Sequence, residues 1–406
     1  MIAKTDSELP EMRVEFANRP APRLASIDAY RGLVMMLMMA EVLGIGKVAR
    51  AVPESGFWKF LLWQQTHVEW TGAVLHDLIQ PSFSFLVGVA LPFALAARMA
   101  RGQSLGKMLG HAAWRSLLLI ALGVALRSIG RPQTYFTFED TLSQIGLGYF
   151  FLFLLGLRSA RMQWVAFLVI CFGYWLAFAL YPLPGADFDW AAAGVPADWP
   201  HHAQGFAAHW NKNTNLAWAF DRWFLNLFPR EKVFTNNSGG YATLSFIPTL
   251  GTMILGLIVG GWLKADLSHR EKLTRFCIAG VAGILLGLTL DWLGLCPNVK
   301  RIWTPSWVFF SGGWCCLLMA AFYAITDVKS LRGWAFPLMI VGMNAIAAYC
   351  MAHLFERFLI DALNTHLGSV LKLLTPYDPF VRGALVLVIL WLILFWMYRR
   401  KIFLKV

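Results

Sequence analysis

The sequence predicts an all-α, polytopic transmembrane helical bundle with about ten spanning helices and one long extracytoplasmic insertion. The 406 residues are 58% hydrophobic and only 14% charged, a balance that excludes an ordinary soluble globular domain. Apolar stretches close to the roughly 20 residues that a spanning helix needs recur along the whole chain. The six cysteines lie mostly within these stretches and show neither CxxC nor His-paired spacing, so no disulfide framework and no metal site are predicted.

Apolar periodicity places the spanning helices in order along the chain. The ten predicted segments cover residues 30–46, 73–97, 112–128, 141–157, 163–182, 242–263, 275–295, 306–326, 334–360 and 382–398. Residues 1–23 are predicted to form a polar cytoplasmic tail without a cleavable signal peptide. Residues 24–182 then hold helices one to five, residues 183–241 form the insertion, and residues 242–406 hold helices six to ten and a short cytoplasmic tail.

Basic residues are concentrated in the short loops on one side of this arrangement. With the N-terminus inside, 21 of the 35 Lys and Arg residues fall in short inner loops and tails, which predicts that both termini are cytoplasmic. The formal charge of +12 is therefore interpreted as orientation within a lipid bilayer and not as nucleic-acid binding. The pairs Gly256/Gly260 and Gly283/Gly287 have the small-xxx-small spacing that lets helices pack closely.

Ionisable side chains inside spanning segments are costly and so mark candidate functional positions. Asp28 and Arg31 lie three residues apart in the first helix, where they form either an anchoring ion pair or, through Arg31, a contact for phosphates arriving from the cytosol. Glu41 lies roughly 20 Å further along the helix axis, near the outer end. In the ninth helix His353 shares a face with Tyr349, and either an interhelical hydrogen bond or a functional role fits it.

The stretch QTHVEWTGAVLHDLIQP places His67, Glu69, His76 and Asp77 at the entrance to the second helix. A solvated loop histidine is the simplest interpretation of His67. The neighbouring carboxylates and imidazole provide a second interpretation, in which they orient the ring and hold its tautomer. The other ring nitrogen would then be free to act as a base or a nucleophile. In the insertion, tryptophans beside His and Asn residues predict either an interfacial aromatic belt or a surface for sugar rings.

Several motifs, in their order along the chain, resemble those of the heparan-α-glucosaminide N-acetyltransferase family. The matching stretches, which cover nearly the whole chain from Arg23 onward, are RLASIDAYRGLVMMLM, HVEWTGAVLHDLIQPSFSFLVG, AAWRSLLLIALG, VKRIWTPSWVFFSGG, TDVKS, GMNAIAAY with a later histidine, and RRKIFLKV. The resemblance implies an enzyme that takes acetyl from cytosolic acetyl-CoA and passes it to the amine of an amino sugar or related glycan across the membrane. A bacterial inner (plasma) membrane location is expected.

The resemblance also assigns roles to residues. It implies that His67 is the catalytic histidine, with Asp77 and Glu69 as its expected partners, acting either as a base or as a covalent acceptor of acetyl. The residues expected to bind acetyl-CoA are Asp28, Arg31, Gln144, Asn344 and His353. Those expected to bind the acceptor are Glu41, Trp70 and His76. Further cytosolic-side cations expected near the CoA phosphates are Arg98, Arg101, Lys107 and Arg115.

A polar tunnel bounded by helices one, two and nine is predicted, lined by Asp28, Asp77, Asn344 and His353. The alternative function is a transporter or flippase for a sugar or lipid-linked glycan, in which the same polar groups line a passive path. The absence of an internal repeat argues against that class, and recognition of CoA would distinguish the two. A homo-oligomer is compatible with the sequence, which does not determine the number of subunits.

Overall fold

The computed structural model describes residues 24–196 and 198–404, and these residues form an all-α bundle, as predicted. Its helices are α1 (Ala25–Met39), α2 (Ile45–Ala51), α3 (Gly56–Gln65), α4 (Ile79–Ala100), α5 (Leu105–Arg127), α6 (Thr141–Gly156), α7 (Ala160–Ala179), α8 (Leu216–Phe224), α9 (Phe246–Lys264), α10 (His269–Trp292), α11 (Pro305–Phe322), α12 (Phe336–Met343), α13 (Ala345–Lys372) and α14 (Asp378–Arg399). A 3₁₀ turn, Leu75–Leu78, precedes α4, and another, Ala40–Leu43, follows α1. The predicted tail over residues 1–23 lies outside the described residues.

Each of the ten predicted apolar segments overlaps a helix, with ends that differ by several residues, and the first and the ninth each cross a break between two helices. Seven of the described helices, some with an adjoining turn, are individually long and apolar enough to cross a membrane. Two further segments qualify as bent pairs, and α6 is a shorter apolar helix of 16 residues. The chain is therefore a multi-pass membrane protein.

The ninth predicted helix, residues 334–360, is wrong as a single element. It consists of α12 and α13, which meet at Asn344 with a bend of 81°. α12 packs antiparallel to α1, because Gly32 lies against Leu338 and Gly342 lies against Asp28 at the closest backbone approaches of this pair. Asn344 leaves the helical conformation at φ −125° and ψ 38°, which ends α12 and starts α13 in a new direction.

Polar residues at the N-terminal ends determine where several helices begin. The Asp140 carboxylate accepts hydrogen bonds from the N–H groups of Leu142 and Ser143, both at 3.0 Å, and so caps α6. Ser268 and Glu271 cap one another's backbone at the start of α10. Apolar stretches of the right length thus become helices whose ends lie at the loops that carry the polar residues.

The core is built around α9, whose most apolar 18-residue stretch is 78% buried. α9 crosses α4 at backbone contact, since Gly256 lies against the carbonyl group of Phe85 and Gly260 against that of Val89. α10 crosses α11 in the same way, with Gly283 and Gly287 on the contact. The small-xxx-small pairs therefore pack as predicted, and they let the backbones of two helix pairs approach closely.

The bundle has two ends that carry different side chains. We call the end with His67, the Leu75–Leu78 turn and segment 183–241 the histidine face, and the end with Arg31 and Arg98 the arginine face. The N–H groups of Ala25 and Ser26 donate to Asp327 at 3.1 and 3.0 Å, and the N–H of Leu404 donates to Asn344 at 3.0 Å. Both ends of the described chain therefore lie on the arginine face.

The crossing of α4 and α9 predicts opposite effects for two glycines of one helix. In Gly256→Ala the new methyl group overlaps the Phe85 carbonyl, so we expect a loss of about 1–3 kcal/mol of stability. In the control Gly261→Ala the methyl group meets open space, and we expect no loss or a gain of about 0.5–1 kcal/mol from helix propensity. Tryptophan fluorescence during thermal unfolding in detergent measures both, and equal midpoints would contradict the close crossing.

Candidate active site

Two cavities open on opposite faces of the bundle and meet at a common wall. The arginine cavity, of about 540 Å³, is lined by Arg31, Arg98, Arg101, His111 and Arg115 together with apolar residues of α1, α4, α5 and α6. The histidine cavity, of about 490 Å³, is lined mainly by polar groups, among them Glu41, His67, His76, Arg127, Glu139, Tyr241, Lys300 and His353. Phe83, Thr141 and Tyr349 line both cavities and so form the wall between them.

His67 and Asp77 form the centre of the histidine cavity. The Nδ1 atom of His67 lies 2.7 Å from Oδ1 of Asp77. A carboxylate only accepts, so Nδ1 carries the proton toward Asp77 and Nε2 keeps its lone pair for a substrate. The Asp77 side chain is 1% exposed, whereas that of His67 is 36% exposed and lines the cavity. The predicted partnership of these two residues thus has the geometry of a base and its orienting group.

The Asp77 carboxylate is held by the loop that it closes. Its Oδ2 atom accepts hydrogen bonds from the N–H of Val74 at 3.2 Å and, more weakly, from that of Val68 at 3.4 Å. Asp77 lies in the 3₁₀ turn Leu75–Leu78 at the start of α4, so both ends of the loop from His67 to Asp77 meet at one side chain. The imidazole is therefore oriented by a group that belongs to the rigid end of a helix.

A third residue, Lys300, completes this buried cluster from a distant part of the chain. Its Nζ atom lies 3.2 Å from Oδ1 of Asp77 and 3.1 Å from Nδ1 of His67. The Lys300 side chain is only 5% exposed, so the ammonium group is paired inside the protein. Lys300, Asp77 and His67 together form what we call the buried triad.

The loop between α10 and α11 brings Lys300 to the triad. Thr71 forms an antiparallel bridge with Val299, and the N–H of Gly72 donates to the carbonyl of Asn298 at 3.2 Å. The next residue, Arg301, donates to the carbonyl of Val68 at 2.9 Å and to that of Gly239 at 2.7 Å. Three segments far apart in sequence are thereby joined around the histidine cavity, two of them by a backbone hydrogen bond and the third through the Arg301 side chain.

The electrostatic environment favours a neutral His67. Burial lowers the pKa of the imidazole, the hydrogen bond to Asp77 opposes that shift, and the charge of Lys300 lowers the pKa further. Burial also lowers the pKa of the Lys300 ammonium, an effect that Asp77 opposes. A neutral imidazole with a free Nε2 at neutral pH is the form that a general base or a nucleophile requires.

His76 and Glu41 form a second polar pair next to the triad. The Nε2 atom of His76 lies 3.0 Å from Oε1 of Glu41, and the His67 and His76 rings are 4.5 Å apart between centroids. Across the cavity lies Glu139, a residue that follows α5, and burial raises the pKa of its carboxyl group. The histidine cavity therefore offers carboxyl groups on two sides to a polar ligand.

Glu69 and Trp70 do not join the cavity with the other predicted residues. The Glu69 carboxylate accepts a hydrogen bond from Nε1 of Trp199 at 3.2 Å and lies 3.6 Å from Nε2 of His201, on the surface of the insertion. The expectation that Glu69 orients His67 therefore has no support in the contacts. Trp70 is buried and donates to the carbonyl of Trp210 at 3.1 Å, so it supports the loop and is not placed to contact an acceptor.

Of the residues predicted to bind acetyl-CoA, some line a cavity and others form hydrogen bonds that hold neighbouring backbone segments. Arg31 lines the arginine cavity and pairs with Asp28 at 3.5 Å, and His353 lines the histidine cavity. Gln144 instead donates to the carbonyls of Phe138 and Thr243, at 2.7 and 3.2 Å, and so braces the start of α6. Asn344 donates to the carbonyl of Ile402 at 2.9 Å and holds the C-terminal segment.

The predicted tunnel is thus lined differently from the expectation. Of its four predicted residues, His353 lines a cavity, whereas Asp28, Asp77 and Asn344 lie behind the walls of these two cavities. The reason is that each of these three polar groups is already used, Asp28 by Arg31, Asp77 by the triad and Asn344 by the chain end. Tyr349, which lines both cavities, lies on the predicted route instead.

Lys300 is the functional candidate that the sequence reasoning missed. The sequence does contain one indication: Lys300 and Arg301 are adjacent cations in the loop before α11, which the charge distribution assigns to the outside. Basic residues are concentrated in the inner loops, so a pair of cations in an outer loop suggests an acidic partner nearby. The identity of that partner, Asp77, follows only from the fold.

Comparison with known proteins finds similarity over most of this chain to two proteins that share one name. The chain is 26% identical to heparan-alpha-glucosaminide N-acetyltransferase of Homo sapiens over 428 aligned positions, which cover 95% of this chain and 60% of that protein. It is also 26% identical to the Mus musculus protein of the same name over 393 positions, covering 86% of this chain and 55% of that protein. This chain therefore spans less than two thirds of the length of these relatives. No family model matches it. The similarity supports a distant relationship to these enzymes.

The buried triad predicts strong coupling between Asp77 and Lys300. We expect Asp77→Asn and Lys300→Met each to cost about 3–5 kcal/mol, because each leaves the other charge buried without its partner. The double variant should lose less than the sum by about 1–3 kcal/mol. Thermal unfolding of the four proteins measures the coupling.

The more exposed pair Asp378 and Arg382, at 2.8 Å, serves as the control. For the corresponding double-variant cycle at that pair we expect a coupling below about 1 kcal/mol. Additive losses at Asp77 and Lys300 would contradict the ion pair.

Proposed function

We propose that this protein is a transmembrane acetyltransferase that moves acetyl from acetyl-CoA, bound at the arginine face, to the amine of an amino sugar or related glycan at the histidine face. The observation that carries the proposal is the free Nε2 of His67 in a polar cavity that shares a wall with a basic cavity on the opposite face. The arginine face is then cytoplasmic and the membrane a bacterial inner membrane, in line with the distribution of basic residues. The names of the two relatives support the reaction class.

The arginine cavity suits the phosphate-bearing part of CoA. Guanidinium groups bind phosphate oxygens through paired hydrogen bonds, and this cavity has them on α1, α4 and α5. Arg115 stacks on the Tyr149 ring and donates to its hydroxyl at 3.2 Å, but its Nε atom is buried with no partner in the structure. A buried donor without a partner is costly, and an anion in the cavity would satisfy it.

The common wall lets the reactive end of the donor reach His67. The distance from Arg31 along α1 and into the following turn at Glu41 is about 15 Å at roughly 1.5 Å per residue, and the flexible arm of CoA has to cover it within the bundle. Phe83 and Tyr349 line both cavities, so a thin chain that passes between them leaves the arginine cavity and enters the histidine cavity. The bulky adenine nucleotide stays on the side with the guanidinium groups.

His67 performs the proton transfer or the covalent step at the end of this path. As a base, its Nε2 takes a proton from the acceptor amine while that nitrogen bonds to the thioester carbon; the C–S bond breaks, and the thiolate leaves and is protonated. As a nucleophile, Nε2 first bonds to the acyl carbon and expels the thiolate, which is protonated. The amine nitrogen then bonds to the acyl carbon as the bond to Nε2 breaks, and the freed Nε2 takes up the amine proton. Both routes require the proton on Nδ1, which Asp77 holds there.

The decisive experiment is acetyl transfer by the purified protein. Wild type in liposomes, incubated with labelled acetyl-CoA and a panel of amino sugars, should label a sugar. We expect His67→Ala to lower the rate about 100-fold or more, because a positioned base contributes that much. Label on the protein in the absence of acceptor would select the covalent route.

His366→Ala removes a histidine from the exposed part of α13 and is the matched control, expected to keep full activity. Failure of the wild type both to bind CoA and to move label would overturn the proposal. The transporter interpretation, which the two facing cavities also accommodate, would then take its place.

Binding of the donor by the arginine cavity gives a separate prediction. Arg98→Gln and Arg115→Gln should each raise the KM for acetyl-CoA about tenfold or more with kcat nearly unchanged, because a hydrogen bond to a charged group contributes about 1.5–3 kcal/mol. Arg161→Gln, on an exposed position of the same face, is the control. An unchanged KM in both cavity variants would exclude this cavity as the CoA site.

A further inference from the structure

The ammonium group of Lys300 is buried at a place where the hydrogen bonds of Asp77 are already satisfied. The Asp77 carboxylate accepts hydrogen bonds from Nδ1 of His67 and from the N–H of Val74, and a longer one from the N–H of Val68. A neutral, apolar side chain at position 300 would leave those bonds in place but would leave the Asp77 charge without its compensating cation. The ammonium group also lies 3.1 Å from Nδ1 of His67, so its charge acts on the imidazole as well as on Asp77.

Arg301, next to Lys300, has a different task. Its guanidinium group donates hydrogen bonds to the carbonyls of Val68 and Gly239 and stacks on the Tyr241 ring. Those contacts hold the loop around the cavity in place. Arg301 supplies the loop anchoring, and within the described residues the ammonium group of Lys300 makes its polar contacts with the two other members of the triad.

Several charged and titratable groups lie near His67, and their combined effect determines the pKa of its imidazole. Those nearest are Asp77 and His76 from the turn before α4, Lys300 from the loop before α11, and Glu41 from the turn after α1, which is engaged by His76. The same cavity is also lined by Arg127, Glu139, Asp140, Tyr241, Tyr349 and His353. Lys300 is the only cation among them that the structure places in direct contact with the ring.

We propose that Lys300 is a positioning residue that keeps His67 neutral, with its proton on Nδ1 against Asp77 and its Nε2 lone pair open to the histidine cavity. This inference rests on the proposed acetyl transfer and adds a device to it. When Nε2 accepts the proton of the amine, the ring becomes a cation 3.1 Å from a second cation. The imidazolium therefore gives that proton up readily, and the departing thiolate is the group that receives it as the C–S bond breaks.

Lys300→Met tests the device, since methionine fills similar space without charge. We expect the acid limb of the pH profile of kcat/KM to move to higher pH by about 1 unit or more, because a nearby cation shifts a titration by that amount. The sign follows from the removal of a charge that destabilises the imidazolium. Lys300→Arg, which keeps the charge, should retain a wild-type acid limb. Lys232→Met, an exposed lysine on the same face, should leave the profile unchanged.

A second measurement reports on His67 without any acetyl transfer. Diethyl pyrocarbonate modifies neutral imidazole, and mass spectrometry of the peptide that contains His67 gives its rate of modification against pH. In wild type we expect a midpoint below the ordinary histidine value of about 6.5, and in Lys300→Met a midpoint about 1 unit or more higher than in wild type. Lys232→Met should show the wild-type midpoint.

The outcomes separate the two proposals. A wild-type midpoint at or above about 6.5 would overturn the role of Lys300 even if Lys300→Met does not fold. A folded Lys300→Met with reduced activity and an unmoved midpoint would assign Lys300 to structure alone. Absence of acetyl transfer by wild type, with the modification midpoints as expected, would overturn the proposed function and leave the protonation device intact.

Discussion

The carboxylate of Asp77 joins the parts of this protein that matter for its site. Within 3.4 Å it binds the imidazole of His67, the ammonium of Lys300 and two backbone N–H groups of the loop between His67 and α4. Removing such a group from water is costly unless every lone pair is satisfied, so these partners must come together for the bundle to close. One buried charge thereby couples the stability of the histidine face to the geometry of a candidate base.

The long insertion serves this arrangement by packing against it. Trp210, in segment 183–241, is fully buried and accepts a hydrogen bond from Trp70, and Gly239 accepts one from Arg301. Aromatic residues that the sequence made candidates for a sugar-binding surface are thus partly used to cover the loop that carries His67.

Helix irregularities place the wall between the cavities. The bend of 81° at Asn344 turns α13 across the bundle, so that Ala345 and Ile346 line the arginine cavity, Tyr349 lines both and His353 lines the histidine cavity. The same bend is secured by the Asn344 amide, which binds the backbone near the end of the described chain.

The sequence by itself determined the apolar segments and their order, because a bilayer admits few structures and apolar length is read directly from composition. The exact helix ends and the breaks at Gly44 and Asn344 were decided by the fold. The sequence also singled out His67 and Asp77, which lie ten residues apart on either side of a short loop. It could not identify Lys300 as the third member, since that residue is 223 positions from Asp77 and its pairing depends on a backbone bridge between two loops. Tertiary structure likewise decided that Glu69 faces the insertion, that Asn344 braces the chain end and that the cavities share a wall, because each depends on which neighbour reaches a polar group first.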